Sequence, residues 1–389
     1  MCSTYYCSTM DQASTTQTDP APAGLELLGL TSDQFLAHFR GAVIHEGVGG
    51  LRGAMSAYRA IFRDGRCDLK GLSFEPPRIA AVQREDSPEG TVVKFVTQLE
   101  SAIPGGPAHE VESVLIPMIG SKGNLKYTLC VSSQVGCAMG CGFCETAQMG
   151  LIRSLKPHEI VGQWWNARHV VGFEVGNIVF MGMGEPMDNY DNVMQAVSVL
   201  KDHNGPNIGV SKICISTVGR VDGIRKMAKR IQEPGWHRLT MALSLNASND
   251  EVRSSIMPVN RKWNISELLG ALKEWPRFAG NKLCIEYVLI PGVNDRVEHL
   301  DELAKFMGEL KDGDKPLALL NLIPYNPRRN SPWPAPEESQ VAWFLQGLID
   351  RGVFAKRRRT KGRQMMGACG QLGAAHIRQR KFIEPTISI

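Results

Sequence analysis

The sequence lacks any long hydrophobic run. No stretch of its 389 residues approaches the ~18 uninterrupted apolar residues that a membrane-spanning helix needs. The best candidate, from Val170 to Met183, has 14 residues and carries Glu174 and Asn177. No apolar segment of the kind found in secretory signal peptides opens the chain. We therefore expect a cytoplasmic protein that makes no membrane contact, with an organelle matrix as the alternative location.

Compositional extremes are also missing. The chain is 43% hydrophobic and 21% charged, with 39 Gly and 22 Pro, which argues against a mainly disordered, collagen-like or disulfide-scaffold protein. The exception is the start of the chain, where the first 20 residues contain eight Ser or Thr and no Lys or Arg. This composition predicts a disordered tail over residues 1–24. The remaining length is enough for two or three domains at roughly 150 residues each.

Basic residues are scarce at the start and concentrated at the end. Residues 351–389 contain ten Lys or Arg and one acidic residue, a balance of +9. The other residues contain 34 basic and 38 acidic side chains, a balance of −4. Positive charge collected at one end is typical of a protein that binds a polyanion such as nucleic acid, and a solvated basic tail is the alternative.

The alternation of strand and helix patterns predicts the fold class. Between residues 121 and 350, helical patterns separate six apolar strand patterns, LKYTLCVSS, NIVFMG, SKICIST, RLTMALSL, LCIEYVLI and LALLNLIP. Six βα units indicate an α/β fold whose parallel sheet curls into a full or partial barrel, with function at the carboxyl ends of its strands. Residues 25–120 combine helical patterns with three strand patterns and form a predicted accessory domain. Residues 351–389 form a basic C-terminal segment.

Three of the ten cysteines lie within eight residues. Cys137, Cys141 and Cys144 have the spacing C-x₃-C-x₂-C in the loop after the first predicted barrel strand. Thiols so close together indicate metal binding rather than paired disulfides. A structural zinc would need a fourth ligand nearby, and the next cysteines are Cys130 and Cys214. A 4Fe–4S cluster normally takes four thiolates, so three would leave one iron open. An incomplete zinc site and unligated thiols are the alternatives.

This spacing after the first strand of a βα barrel resembles the radical S-adenosylmethionine (SAM) superfamily. The resemblance implies a partial (βα)6 radical-SAM barrel with one 4Fe–4S cluster on the three cysteines. It also implies that the open iron binds SAM. One electron from the cluster would then cleave SAM into methionine and a 5′-deoxyadenosyl radical.

Five segments narrow the resemblance further. In chain order they are TLCVSSQVGCAMGCGFCETAQMG (128–150), MGMGEPMDNYDNV (181–193), MPVN (257–260), NLIPYNP (321–327) and GACGQL (367–372). Together they resemble the RlmN/Cfr family of radical-SAM RNA adenine methyltransferases, over about residues 105–380. The resemblance implies methylation of carbon 2 of adenine in ribosomal RNA, tRNA or both, with two SAM per turnover. A radical route suits this reaction because carbons 2 and 8 of adenine are not nucleophilic.

The resemblance also assigns roles to two further cysteines and one acid. Cys369 would take a methyl group from one SAM, and the radical from a second SAM would convert it to a methylene radical that adds to the base. Cys130 would then form a disulfide with Cys369 and release the methylated base. Glu112 matches the family's proton acceptor. From the residues alone, Cys130 is a buried strand thiol and Glu112 a solvent-facing strand residue.

The SAM contacts follow from the same resemblance. Gly184 and Glu185 come after a predicted strand, where a carboxylate could meet the SAM ammonium group. The other implied contacts lie at later strand ends, at Ser216, Ser244, Leu245, Asn246 and Asn326. Turn and capping roles are the alternative for the polar ones. The chain departs from the family pattern at Asn246, where His is usual, and at Arg363 and Gln364, where acidic residues are expected.

The predicted partners are RNA and an electron donor such as flavodoxin or ferredoxin. The resemblance implies that the accessory domain contacts the RNA and that the protein is a monomer. Three other functions stay open at this point. They are methylation of carbon 8 of adenine, radical-SAM chemistry on a non-RNA substrate, and an inactive iron–sulfur protein that binds RNA.

Overall fold

The computed structural model describes residues 24–40, 47–69, 72–101, 105–120, 123–278 and 283–373. The α-helices of these ranges are α1 (Ser32–Phe39), α2 (Gly50–Asp64), α3 (Glu145–Met149), α4 (Pro157–Trp165), α5 (Tyr190–Leu200), α6 (Val221–Arg230), α7 (Asp250–Ile256), α8 (Ile265–Lys273), α9 (Val297–Gly308) and α10 (Glu338–Asp350). The predicted tail lies outside the described residues except for Gly24, which begins a short 3₁₀ helix. No helix in the described ranges is both long enough and apolar enough to cross a bilayer.

Most of the strands belong to one sheet. In chain order the strands are β1 (Asp68–Leu69), β2 (Leu72–Ser73), β3 (Ile79–Ser87), β4 (Gly90–Leu99), β5 (His109–Ile119), β6 (Leu125–Cys130), β7 (Gln134–Gly136), β8 (Leu151–Ser154), β9 (Val175–Phe180), β10 (Ile213–Thr217), β11 (Thr240–Ser244), β12 (Leu283–Leu289), β13 (Lys311–Asp312), β14 (Lys315–Pro316), β15 (Ala318–Pro324) and β16 (Ala355–Arg357). Ten of them form a sheet in the order β16-β15-β12-β11-β10-β9-β6-β5-β4-β3.

The barrel part of this sheet is parallel. Strands β6, β9, β10, β11, β12 and β15 pair in parallel in chain order, and they are the six predicted strands. Strand β16 adds a seventh parallel strand that the sequence pattern did not predict. Parallel neighbours need long crossovers, which the intervening helices supply. The predicted α/β fold with a partial barrel is confirmed.

The strands of the predicted accessory domain continue the barrel's sheet. Strands β3, β4 and β5 form an antiparallel meander, and β5 pairs with β6 from Val114↔Cys130 to Ile119↔Leu125. Helix α2 also contacts the barrel, because the indole of Trp165 donates to the carbonyl oxygen of Ile61 at 3.1 Å. The boundary at residue 120 therefore coincides with no break in the sheet, and the domain limits stay a prediction.

Alternation along the parallel strands places polar groups inside the barrel. On β12, Ile285 is fully buried in the core, while its neighbour Glu286 bonds Ser216 of β10. Side chains on successive strand residues point to opposite faces. One face thus packs against the helices, and the other carries serine, cysteine and glutamate side chains toward the carboxyl ends of the strands.

Candidate active site

Loops at the carboxyl ends of the parallel strands enclose one large cavity. Counted out to open solvent it measures about 1010 Å³. Ten of the thirteen predicted site residues border it, namely Cys137, Cys141, Cys144, Gly184, Glu185, Ser216, Ser244, Asn246, Asn326 and Cys369. The structure therefore brings together residues that lie up to 232 positions apart (369 − 137) in the sequence.

Main-chain hydrogen bonds from other parts of the chain hold the three-cysteine loop. The amide of Cys137 donates to the Gly150 carbonyl at 2.9 Å, and the amide of Gly142 donates to the Ile256 carbonyl at 2.9 Å. The guanidinium of the buried Arg328 donates to the Gly142 carbonyl at 2.7 Å. The position of the loop is thus fixed by the protein itself.

The three thiols are a suitable donor set for an iron–sulfur cluster. Burial raises the pKa of all three, and neighbouring thiols raise it further for Cys137 and Cys141. Without a cationic centre they are neutral, so three buried thiolates require one. All three thiols border the same cavity, and thiolates are the usual ligands of a 4Fe–4S cluster.

Gly184 and Glu185 form the turn after β9. Gly184 has a φ of +100°, and a Cβ there would lie 2.8 Å from the backbone nitrogen of Gln134, so only glycine fits. The Glu185 carboxylate accepts from the amides of Val218 at 2.9 Å and Met187 at 3.1 Å. Burial raises the pKa of Glu185, and these amides partly oppose the rise. A cationic ligand group would complete the charge balance at this carboxylate.

The interior of the barrel contributes Glu286, which the sequence analysis missed. Its carboxylate accepts from the Ser216 hydroxyl at 3.4 Å and lies 3.3 Å from Nη1 of Arg358. The Ser216 hydroxyl is also 3.4 Å from that of Ser244. Burial raises the pKa of Glu286, and Arg358 opposes the rise. A single acid inside the apolar pattern LCIEYVLI was the available signal, because such a residue needs a buried partner.

Asn246 and Leu245 have different surroundings. Asn246 has a φ of +56°, a conformation that asparagine tolerates well, and its side-chain oxygen accepts from the Val288 amide at 3.0 Å. The Leu245 side chain is fully buried in the core and does not border the cavity. Only its backbone is near the site, since its carbonyl accepts from Nε of Arg253 at 2.9 Å.

Arg253 is a second residue that the sequence analysis missed. This guanidinium is fully buried and donates to the carbonyl of Val218 at 2.5 Å and to the side-chain oxygen of Asn260 at 2.9 Å. Arg253 also donates to the Leu245 carbonyl. It therefore links the loop after β10 and the loop after β11 to the segment MPVN, which contains Asn260. An arginine on a short amphipathic helix is expected to face solvent, so the sequence does not predict that Arg253 is buried and links these loops.

Cys369 lies where two of the singled-out segments meet. The side-chain amide of Asn326 donates to the Cys369 carbonyl at 3.5 Å, and the side-chain amide of Gln371 donates to the Pro327 carbonyl at 3.0 Å. On the other side, the Gly370 carbonyl accepts from the backbone of Glu145 at 2.7 Å. These contacts join GACGQL to NLIPYNP and to the end of the three-cysteine loop.

Cys130 does not border the cavity, but Cys369 is close enough to influence its pKa. It ends β6 and is only 4% exposed. Burial, and next the charge on Cys369, raise the pKa of Cys130 to about 12. Burial also raises the pKa of Cys369, and the nearby Arg358 opposes that rise. The two predicted catalytic thiols therefore share one cationic neighbour.

Glu112 is a buried residue of β5 that does not border the cavity. One carboxylate oxygen is 3.1 Å from Nζ of Lys94, and the other accepts from the Gly373 amide at 2.7 Å. The solvent-facing alternative for this residue is excluded, since the side chain is 10% exposed. Its contact with Gly373 places it beside the segment that carries Cys369.

Comparison with known proteins gives consistent relatives. A family model described as the radical SAM superfamily matches residues 131–307. The chain is 42% identical over 279 residues to the probable dual-specificity RNA methyltransferase RlmN 1 of Protochlamydia amoebophila, covering 72% of this chain and 74% of that protein. It is 40% identical over 314 residues to the dual-specificity RNA methyltransferase RlmN of Lawsonia intracellularis, covering 79% and 82%. A crystal structure of a radical SAM methyltransferase from Sphaerobacter thermophilus matches with a TM-score of 0.74 and 32% identity, covering 90% of this chain and 99% of that chain.

Proposed function

Because this chain belongs to the RlmN family of radical-SAM RNA methyltransferases, we propose that it methylates carbon 2 of an adenine in ribosomal RNA, tRNA or both. In this proposal Cys369 carries the methyl group and each turnover uses two SAM. The observation that supports it is the position of Cys369, which borders the same cavity as the three-cysteine loop and the polar strand ends. The proposed methyl acceptor and the proposed cofactor-binding residues thus border the same cavity.

The family's cofactors are a 4Fe–4S cluster and SAM, and the residues of the cavity fit both. Cys137, Cys141 and Cys144 would hold the cluster, which when bound supplies the electron that cleaves SAM to methionine and a 5′-deoxyadenosyl radical. Glu185 would bind the amino group of SAM, because its carboxylate is buried at the border of the cavity and a cation there would offset the cost of burial. The remaining polar groups would orient SAM, at Ser216, Ser244, Asn246 and Asn326.

Cys369 would act first, as a nucleophile toward the methyl group. Its thiol loses a proton to solvent, a sulfur–carbon bond forms, and the bond between that methyl group and the sulfonium sulfur of SAM breaks. Burial disfavours the thiolate, and Arg358 is the cation that opposes this effect. The thiolate is the reactive form of cysteine, so Arg358 assists the step.

Cys130 would act last, on the sulfur of Cys369. The Cys130 thiol would lose its proton and form a sulfur–sulfur bond as the bond between that sulfur and the base-linked carbon breaks. The released carbon would keep the electron pair of the broken bond and take up a proton, which makes it a methyl group. An external reductant would return the disulfide to two thiols. The raised pKa of Cys130 keeps its thiol protonated at neutral pH, which limits premature reaction. Glu112 would accept the proton that the base loses, and its position against the Gly373 amide keeps it next to the Cys369 segment.

Nucleoside mass spectrometry tests the proposed product. The protein with reconstituted cluster is incubated anaerobically with SAM, a reductant, and either ribosomal RNA or tRNA. We expect 2-methyladenosine in at least one of the two RNAs. Appearance of 8-methyladenosine instead would move the target to carbon 8. SAM cleavage without any methylated adenine would contradict both assignments.

Two cysteine variants test the proposed intermediate. C369A should still cleave SAM but form no methylated adenine, whereas C130A should leave RNA covalently attached to Cys369. C67A is the matched control, because Cys67 is a free, half-buried thiol that does not border the cavity. Adenine methylation by C369A at the wild-type rate would rule out the S-methyl route.

A further inference from the structure

The basic C-terminal segment is largely paired with acidic side chains. In its described part, residues 351–373, five of the seven Lys and Arg side chains form ion pairs with carboxylates from other elements. The pairs are Arg351–Asp301, Arg357–Glu338, Arg358–Glu286, Arg359–Glu89 and Lys361–Glu89. The charge count of the sequence therefore overstates the unpaired positive charge in this part of the segment.

One of these carboxylates serves two cations. Glu89, in the turn between β3 and β4, lies 3.0 Å from Nη1 of Arg359 and 3.4 Å from Nζ of Lys361. Lys361 also donates to the carbonyl of Pro117 at 2.6 Å. The Arg359 side chain is 77% exposed, and those of Lys361 and Glu89 are 9% and 13% exposed. These three groups carry two positive charges and one negative charge, and of the three only the Arg359 side chain is mostly exposed.

This pair of cations lies close to the proposed methyl carrier. Arg359 and Lys361 border a second, smaller cavity that is also lined by Cys369 and Asn326. Both of these residues border the large cavity as well. Cys369 and Asn326 therefore border both the proposed cofactor site and the cavity that the two cations line.

We propose that Arg359 and Lys361 bind a phosphodiester of the RNA backbone next to the target nucleotide, and that Glu89 occupies these cations in the free protein. The proposal rests on the RNA methyltransferase function. A phosphodiester carries one negative charge on two oxygens, as a carboxylate does, and arginine binds both groups through the same fork of donors. Glu89 is thus an internal competitor of the RNA, and its release frees two cations at once.

RNA binding by the full-length protein tests this competition. Dye-labelled unmodified transcripts of a tRNA and of a ribosomal RNA hairpin are titrated with the wild type, E89Q, R359Q and E89Q/R359Q, and anisotropy gives the Kd. E89Q should bind about threefold more tightly, because it removes a charge whose contribution at an exposed arginine is of that modest size. Its Kd should also depend more steeply on salt concentration. R359Q should bind about threefold more weakly than the wild type. Adding E89Q to R359Q should tighten RNA binding only slightly, because the arginine that Glu89 occupies is already absent.

E274Q provides the matched control. It removes the exposed ion pair of Glu274 with Arg225 at 2.9 Å, which borders neither cavity, and should leave the Kd unchanged. Equal thermal midpoints for E89Q and E274Q would show that both variants fold alike. Unchanged or weaker RNA binding by E89Q overturns the proposal alone. Absence of RNA binding by the wild type overturns it together with the proposed function.

Discussion

Arg358 is the side chain shared by the buried thiols. Its guanidinium lies 3.3 Å from Glu286, and its pKa is raised by the charge on Cys369 first and by Glu286 and Cys130 after it. A buried ion pair gains little net stability but fixes the orientation of both groups. Glu286 therefore holds Arg358 in place, and Arg358 supports the thiolate form of Cys369.

Loss of this cation should slow the reaction of Cys369. Burial keeps its pKa above the usual value of 9, so at pH 8 the thiolate is a minor form whose fraction rises with pH. R358Q removes the group that lowers the pKa, and each unit of rise reduces the thiolate at a fixed pH about tenfold. We expect iodoacetamide to alkylate Cys369 more slowly, with the pH profile moved to higher pH, as peptide mass spectrometry would show.

A conservative and a distant substitution complete this test. R358K keeps the charge and should restore part of the rate. R351Q breaks the exposed pair of Arg351 with Asp301 in the same segment and should leave the profile unchanged. Identical pH profiles for R358Q and the wild type would contradict the role assigned to Arg358.

The residues that the sequence could and could not identify differ in one physical respect. Cys137, Cys141 and Cys144 are close in the chain, so their spacing alone indicates a shared ligand. Glu286 and Arg253 are functional only through partners on other elements, and those contacts depend on strand register and helix packing. The placement of the Leu245 side chain in the core likewise depends on which way a strand end turns.

At the scale of the elements, a buried ion pair fastens β4 to β5. In the register of these strands Lys94 lies opposite Val114, and Glu112 lies opposite Val96, so the two charged side chains are diagonal neighbours. Their side chains are 7% and 10% exposed. Lys94 also donates to the Met366 carbonyl at 3.5 Å, which ties both strands to the segment carrying Cys369.

Breaking this pair should cost much more than breaking an exposed one. K94M leaves the buried Glu112 carboxylate without its cation, and we expect the free energy of unfolding to fall by about 3 kcal/mol. Urea unfolding at pH 7 measures the change. K226M is the control, because Lys226 pairs with Asp191 at 2.7 Å with both side chains mostly exposed, and it should have little effect. Equal midpoints for K94M and K226M would refute this expectation.

Some strands can be predicted from their own residues, and others form only through contacts with residues far away in the sequence. Each of the six barrel strands is a continuous apolar run bounded by turns, so its own residues identify it. Strand β16 is only three residues within a basic run, AKR, and forms because β15 offers an open edge. The pairing of β5 with β6 depends on a contact between two predicted domains, which no local pattern reveals.

At the scale of the whole molecule, the site is supported from several distant parts of the chain. The three-cysteine loop and the residue after it donate to the carbonyls of Ile256 and Gly370, and the loop accepts from Arg328. These three partners belong to separate regions of the chain. The loop position therefore depends on the folded protein more than on a bound group. This arrangement differs from small zinc domains, which are unfolded without metal.

Removal of the iron–sulfur cluster should therefore leave the fold intact. After anaerobic chelation we expect an unchanged far-ultraviolet circular dichroism spectrum and a lower thermal midpoint, by roughly 3 °C for each kcal/mol of lost binding energy. Hydrogen exchange should increase mainly over residues 137–150. Loss of the circular dichroism signal of the barrel on chelation would show that the cluster is required for folding.

The shared wall formed by Cys369 and Asn326 has a consequence for the order of kinetic events. Two cavities share this wall. If RNA occupies the second cavity as proposed, exchange of a spent cofactor in the large cavity need not displace it, and we expect neither ligand to inhibit the other competitively. A methyl carrier at this wall would let the protein be charged with a methyl group before its acceptor arrives.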